Sequence, residues 1–329
     1  MGAFLSIPVL SFLLIPSMSS YGTSLNLIFF YLTWTTLVLS HAPLKVELVG
    51  TAAVRLIFYF IPSVLFFLFD ILIPSASVVL KVYGKDGLPQ RKKKHYGSSE
   101  LKVAAWSILN LLLSIVTQGF IEFCLTQGLG VKSALKVTTK LPLPWDIVKG
   151  IGRALILREV LQYIIHRNAL HSWTPFQRQH NEWYHSLHTP YPLTAHYDHP
   201  VAYLLWRFVP TFLPVAAFRS HLLTYMLYLS VVSLEETFAY SGYKPMPTSF
   251  FIGGIARRVD LHMSHGGHGN YAPWGVMDWM LGTSIGDAMG DEASEESDGH
   301  GNNGLAERLV EKRPRRSHNG RSRRTRANV

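Results

Sequence analysis

Apolar runs with little or no charge recur along the chain as far as residue 234, and their lengths predict helices that meet a bilayer. The first two, over 1–18 and 24–40, precede any Lys or Arg, the earliest of which is Lys45. Lacking a basic start, the first run reads as an uncleaved membrane anchor rather than a removed leader. Residues 48–80 are apolar apart from Arg55 and Asp70, with Pro62 and Pro74 as kink or turn points, so the stretch is one long span or a tight pair. Residues 103–121 carry no charge and suffice for a crossing. Pro142 and Pro144 then break the chain ahead of a helix over about 146–165, whose Arg153, Arg158 and Glu159 must face protein or the interface rather than lipid. Two shorter pieces, 201–218 and 222–234, include Arg207, Pro210 and Pro214 and suit a hairpin or half-embedded pair. With no useful alternating strand pattern and no internal repeat, the expected fold class is all-α, a polytopic membrane helical bundle.

Composition agrees: 48% hydrophobic against 16% charged residues is lean in charge for a soluble globule. The net charge of +10 suggests nucleic acid only until it is located. Lys312, Arg313, Arg315, Arg316, Arg321, Arg323, Arg324 and Arg326 follow Glu311 with no acid among them, which leaves the rest of the chain at +2. That polar tail cannot bury enough apolar surface to fold and is expected to be disordered, with no nucleic-acid partner implied. The loop from Lys81 to Lys102 is also basic and by the positive-inside rule belongs in the cytosol. If both of the following segments cross, the later histidines return to its side. A lone cysteine, Cys124, excludes intramolecular disulfides and cysteine-type zinc sites. These shifts divide the chain into an N-terminal membrane region (1–145), a histidine-rich region (146–285) and an acidic-then-basic tail (286–329).

Ten of the fifteen histidines fall in three groups: His166 and His171 in HRNALH; His180, His185, His188, His196 and His199 in HNEWYHSLHTPYPLTAHYDHP; and His262, His265 and His268 in DLHMSHGGHGNY. Burying so many imidazoles without ligation would leave many donors and acceptors to satisfy. Neutral imidazole suits iron, copper, zinc and nickel, and two octahedral irons with positions left for oxygen would use about eight to ten protein ligands. The absence of HExxH argues against a zinc protease, and only Glu182 with His185 matches the Glu-x-x-His pairs of a ferritin-like carboxylate bundle. What remains is an all-histidine centre near a bilayer, suited to oxygen-dependent C–H chemistry on a lipid, for which iron is the metal. Metal-bound imidazoles need their other nitrogen held, and Glu182, Asp198 and Asp260 are candidates for that, with capping as their other role. Glu235 and Glu236 close an apolar run and need partners, for which Arg207, Arg257 and Arg258 are candidates.

Over roughly 150–285 the pattern resembles the fatty acid hydroxylase and sterol desaturase superfamily of membrane di-iron oxygenases. The resemblance rests on HRNALH after an apolar helix, on Pro190, Ala195, His196, His199 and Pro200 in order, on the Asn270-Tyr271 pair and on DWMLGT from Asp278 to Thr283. It implies a cytosolic histidine-box catalytic cap, two irons, O2, electrons from NAD(P)H through an external reductase and often cytochrome b5, and an endoplasmic-reticulum membrane location. An external donor is also required because no Gly-x-Gly-x-x-Gly follows a strand. Three departures stand out. His166 and His171 are five apart, about 140° around an α-helix, so local unwinding or an extra residue is implied. Tyr184 stands where a histidine doublet is expected. Leu261 and Met263 flank a single His262, with His265 and His268 as replacements for the lost pair. The departures are similar to a fungal-type branch. They also leave open a catalytically inactive membrane scaffold or lipid-binding protein of the same fold, and a histidine-based zinc enzyme.

Overall fold

The computed structural model describes residues 19–89, 97–172, 174–187 and 189–286, of which all lie within one compact unit, Met1–Gly286. The first apolar run, His188 and the tail beyond Gly286 lie outside the described residues. Every element described is helical, and extended pairing is limited to single bridges, Lys81 with Tyr243 and Lys136 with His221.

Among the described residues, three stretches are long and apolar enough to cross a membrane: Pro43–Leu72, Leu101–Gly128 and Pro200–Ala217. Within the first, α2 (Pro43–Arg55) passes through a π-helical turn (Leu56–Phe60) into α3 (Ile61–Leu72), and α1 (Ser19–Ser40) precedes them. The stretch is thus one long helix with its break at Pro74, where α4 (Pro74–Leu80) begins. Pro62 has no N–H for the carbonyl four residues earlier, and the Thr237 hydroxyl donates to that Phe58 carbonyl instead, at 3.0 Å. The outward faces carry Leu65, Leu68, Leu109, Leu112, Val116 and Phe120, all exposed, as lipid contact requires.

The remaining helices fix which end of the bundle holds the histidines. α5 (Gly97–Phe123, extended by a π turn at Cys124–Gly128) leads away from the basic loop, and α6 (Pro144–Ile165) returns. α8 (Pro200–Tyr203), a π turn (Leu204–Phe208) and α9 (Val209–Ala217) then lead away again, and α10 (Leu222–Ala239) comes back. At the far end, the Lys136 and Leu222 amides pair with the Ser220 and Lys136 carbonyls at 2.9 Å each, and Trp34 Nε1 donates to the Thr138 carbonyl at 2.9 Å. At the near end, the amides of Val82 and Lys244 bond the carbonyls of Gly242 and Leu80 at 3.1 and 2.8 Å. The start of the basic loop therefore sits against the histidine-bearing end, which is completed by α7 (Thr174–Trp183), α11 (Gly254–Ser264) and α12 (Val276–Met280).

Two expectations need correction. The piece expected over 222–234, as part of a hairpin or half-embedded pair with 201–218, is longer, an eighteen-residue helix whose Tyr228, Leu229 and Val232 are among the most buried side chains of the core. Its carboxylates are paired, but by other arginines than expected: Glu235 takes a two-pronged bond from Arg158, at 2.8 and 3.1 Å, and Glu236 pairs with Arg55 at 2.5 Å. Arg207 instead donates to Tyr240 Oη and lies over the Trp206 ring. The reason is helix proximity: α10 packs against α2 and α6, which carry Arg55 and Arg158.

Candidate metal centre

Five imidazoles converge where α6, α7 and α11 meet: one nitrogen each of His166, His171, His180, His185 and His262 lies within 4.8 Å of all the others. The five-residue spacing of the first pair is met by a π-helical turn, His166–Leu170, closed by a bond from the His171 amide to the His166 carbonyl at 3.2 Å. A π turn bonds residues five apart and so brings them to one face, where an α-helix would splay them. The two rings stand with Nε2 atoms 3.2 Å apart.

Three of the five rings have their tautomer fixed by what holds Nδ1. A carbonyl or carboxylate oxygen can only accept, so Nδ1–H of His166 donates to the Tyr271 carbonyl at 2.8 Å and that of His262 to the Gly269 carbonyl at 2.7 Å. His180 Nδ1–H donates to Asp198 Oδ2 at 2.6 Å. In a neutral ring that places the lone pair on Nε2. His166 Nε2 and His180 Nε2 nevertheless face each other at 3.3 Å, and neither can donate to the other. His262 Nε2 and both nitrogens of His185 have no hydrogen-bond partner although buried. Facing lone pairs and orphaned acceptors in a dry site are what a shared cation would satisfy, so the donor set fits a metal of the imidazole-preferring class. Burial above all, then the repulsion of neighbouring rings, lowers the pKa of His171 to about 2; burial, against the pull of the Gly269 carbonyl, lowers that of His262 to about 3. Both rings are neutral at physiological pH, the form that ligates.

The loop after α11 supplies the carbonyls that orient His166 and His262, and buried carboxylates hold that loop. Asp278 accepts from the Tyr271 and Ala272 amides at 2.9 Å each and from the Thr283 hydroxyl at 2.7 Å. Glu159, on α6, accepts from the Trp274 and Val276 amides at 3.0 Å each. Gly267, at φ +84°, lets the loop close on the cluster: a Cβ there would stand 2.5 Å from His171 Cε1 and 2.8 Å from His185 Nε2. These supports escape the sequence reading, because every residue has a carbonyl and only the loop path selects Gly269 and Tyr271. The DWMLGT string was the available signal for Asp278 and Thr283.

The other expected residues lie elsewhere. His196 is buried, but its Nδ1 pairs with Tyr203 Oη at 2.8 Å and its Nε2 lies 3.4 Å from Glu236. His199 caps α8, its ring accepting from the Val201 amide at 3.4 Å. His265 is exposed, its Nδ1 bonds the Leu261 carbonyl at 2.9 Å, and it lies outside the five converging nitrogens. His268 is exposed beside the cluster. Of the carboxylates, Asp198 holds His180 and also accepts from Trp206 Nε1 at 2.8 Å, whereas Glu182 is exposed and paired with Arg178 at 2.8 Å. Asp260 is buried within the field of Lys81, and burial raises its pKa to about 8. A cavity adjoins the cluster, walled by His166, His262, Tyr184, Trp206, Ile255 and Val259.

The sequence model of the fatty acid hydroxylase family matches residues 151–283, which contain all five converging histidines. Methylsterol monooxygenase 1-3 of Arabidopsis thaliana is 28% identical over 185 residues, covering 55% of this chain and 60% of that protein. No solved structure matches.

Proposed function

Because the chain belongs, through residues 151–283, to the fatty acid hydroxylase and sterol desaturase superfamily, we propose that it is a membrane-bound, O2-dependent oxidoreductase. It hydroxylates or desaturates a lipid or sterol-like substrate at a histidine-held iron centre. The observation that carries this reading is the pair of lone pairs facing across 3.3 Å between His166 and His180, an arrangement that needs a cation. The sterol-like substrate follows from the methylsterol named for the plant relative, and the lipid class from the exposed apolar flanks of the bundle.

The residues named for metal binding are His166, His171, His180, His185 and His262, with Asp198 orienting His180. Iron held there would supply the oxygen activation and electron transfer that C–H oxidation requires; the family resemblance implies two irons. The chain itself contributes position and exclusion. The Gly269 and Tyr271 carbonyls keep the Nε2 lone pairs aimed inward, and Trp206, stacked on His166 at 4.5 Å, closes one side against water. In hydroxylation one oxygen atom enters the C–H bond and the other leaves as water. The electron pair comes from NAD(P)H through a reductase, with cytochrome b5 as carrier. We place the chain in the endoplasmic reticulum, as the family resemblance implies, with the histidines and the tail cytosolic; the cytosolic side is supported by the start of the basic loop, which bonds the histidine-bearing end.

The test is turnover of the iron-loaded, full-length protein with NAD(P)H, a reductase and cytochrome b5 on methylsterols and a membrane lipid extract under isotopically heavy O2. A product carrying one heavy oxygen atom, or one short of a hydrogen pair, is expected. Iron bound without oxygen uptake on any lipid fraction would shift the reading to an inactive scaffold.

A further inference from the structure

The width of the histidine cluster decides how many ions it can hold. Donors on opposite sides of a single ion lie two bonds apart, roughly 4.2 Å for metal–imidazole bonds near 2.1 Å. A pair of ions about 3.5–4 Å apart, each with terminal imidazoles beyond it, spreads its outermost donors to roughly 8 Å. The five nitrogens here lie within 4.8 Å of one another, which is the single-ion dimension.

Nothing among the described residues completes a second set. His196 is held through Nδ1 by Tyr203, with its Nε2 3.4 Å from Glu236, His199 caps a helix, His265 is exposed with Nδ1 on its own helix backbone, and His268, exposed beside the cluster, is one further donor and not a set. Asp198 is fully engaged, Oδ2 by His180 and Trp206 and Oδ1 by the His199 amide at 2.7 Å. Around the cluster, the positions that would face a neighbouring ion are filled by groups that bind none. Tyr184 stacks on His180 at 5.0 Å and commits its hydroxyl to Tyr240 at 2.7 Å, and Met263, Leu170 and Ile255 are buried and apolar.

We propose that this centre holds one metal ion, not a pair, on His166, His171, His180, His185 and His262. Five imidazoles around one octahedral ion leave a single position for an exogenous ligand. The inference rests on the reading of the cluster as an iron site and goes further in setting its nuclearity, against the two irons that the family resemblance implies.

The experiment is anaerobic Fe(II) titration of the full-length, detergent-purified protein, followed by metal analysis per chain and Mössbauer spectroscopy after oxidation. One iron per chain with the spectrum of an isolated ion is expected. His262→Ala and His180→Ala should lose it, while His199→Ala, His265→Ala and His268→Ala should retain it, the last two with an unchanged melting temperature. Two irons with a magnetically coupled spectrum, or loss of an iron in the His199, His265 or His268 variants, would overturn the single-ion centre and leave the oxygenase reading standing. No iron bound at all would overturn both.

Discussion

Gly267 shows at single-residue scale how tightly the cluster is closed. Its positive φ is strained for any L side chain, and a methyl group at this position would overlap His171 and His185, the two rings with the most room to be displaced. Gly267→Ala is therefore expected to lower iron affinity at least tenfold while leaving helix content unchanged, measured by metal titration alongside circular dichroism. Unchanged affinity would mean that the loop does not seal the site. At this scale the sequence revealed the residue types but not their selection. Ten clustered histidines pointed to a metal, yet His180 lies inside the cluster, while His196, set in the more family-like string, does not. The difference comes from partners far along the chain: Asp198 turns His180 inward, whereas Tyr203 and Glu236 hold His196 aside.

Among the elements, the π turn at His166–Leu170 converts an apparent defect of spacing into convergence. The need for unwinding was legible in HRNALH, because five residues cannot share an α-helical face. The partners of Glu235 and Glu236 were not legible, since helix packing, not chain proximity, brings Arg158 and Arg55 to them. Removing Arg158 alone leaves Glu235 uncompensated in the interior, a loss of about 3–5 kcal/mol. The double variant Arg158→Met, Glu235→Leu should recover most of it, and thermal unfolding in detergent reads the difference. Equal melting temperatures for Arg158→Met and wild type would show that the pair contributes nothing. The loop that orients the rings depends in the same way on Asp278: Asp278→Ala orphans the Tyr271 and Ala272 amides and the Thr283 hydroxyl, at roughly 1–3 kcal/mol for each donor that water cannot reach. It should also weaken iron binding about 10- to 100-fold, the usual consequence of losing support behind a ligand. A variant with a lowered melting temperature but unchanged iron affinity would separate loop stability from ring orientation.

At the scale of the whole molecule, the alternation of helices gathers the histidines at one end of the bundle. α5 and the α8–α9 stretch lead away from that end, α6 and α10 return to it, and the Lys81–Tyr243 bridge ties the start of the basic loop to the same end. The sequence carried this much, because the longer apolar runs have the length of a crossing and most charges fall between runs. It did not carry the full length of α10, because the helix runs past the apolar stretch through the buried Glu235, Glu236 and Thr237. The arrangement predicts a definite sidedness. In a Cys124→Ser background, cysteines placed at exposed Lys85 and His265 should react with a membrane-impermeant maleimide added to sealed microsomes. One placed at exposed Lys132, in the segment before the far-end contacts with Ser220, should react only after the membrane is opened. Labelling of Lys85→Cys and His265→Cys from opposite sides would break the link between basic loop and histidine end. Labelling of both only after opening would keep the fold and reverse its orientation, placing the centre away from any cytosolic electron donor.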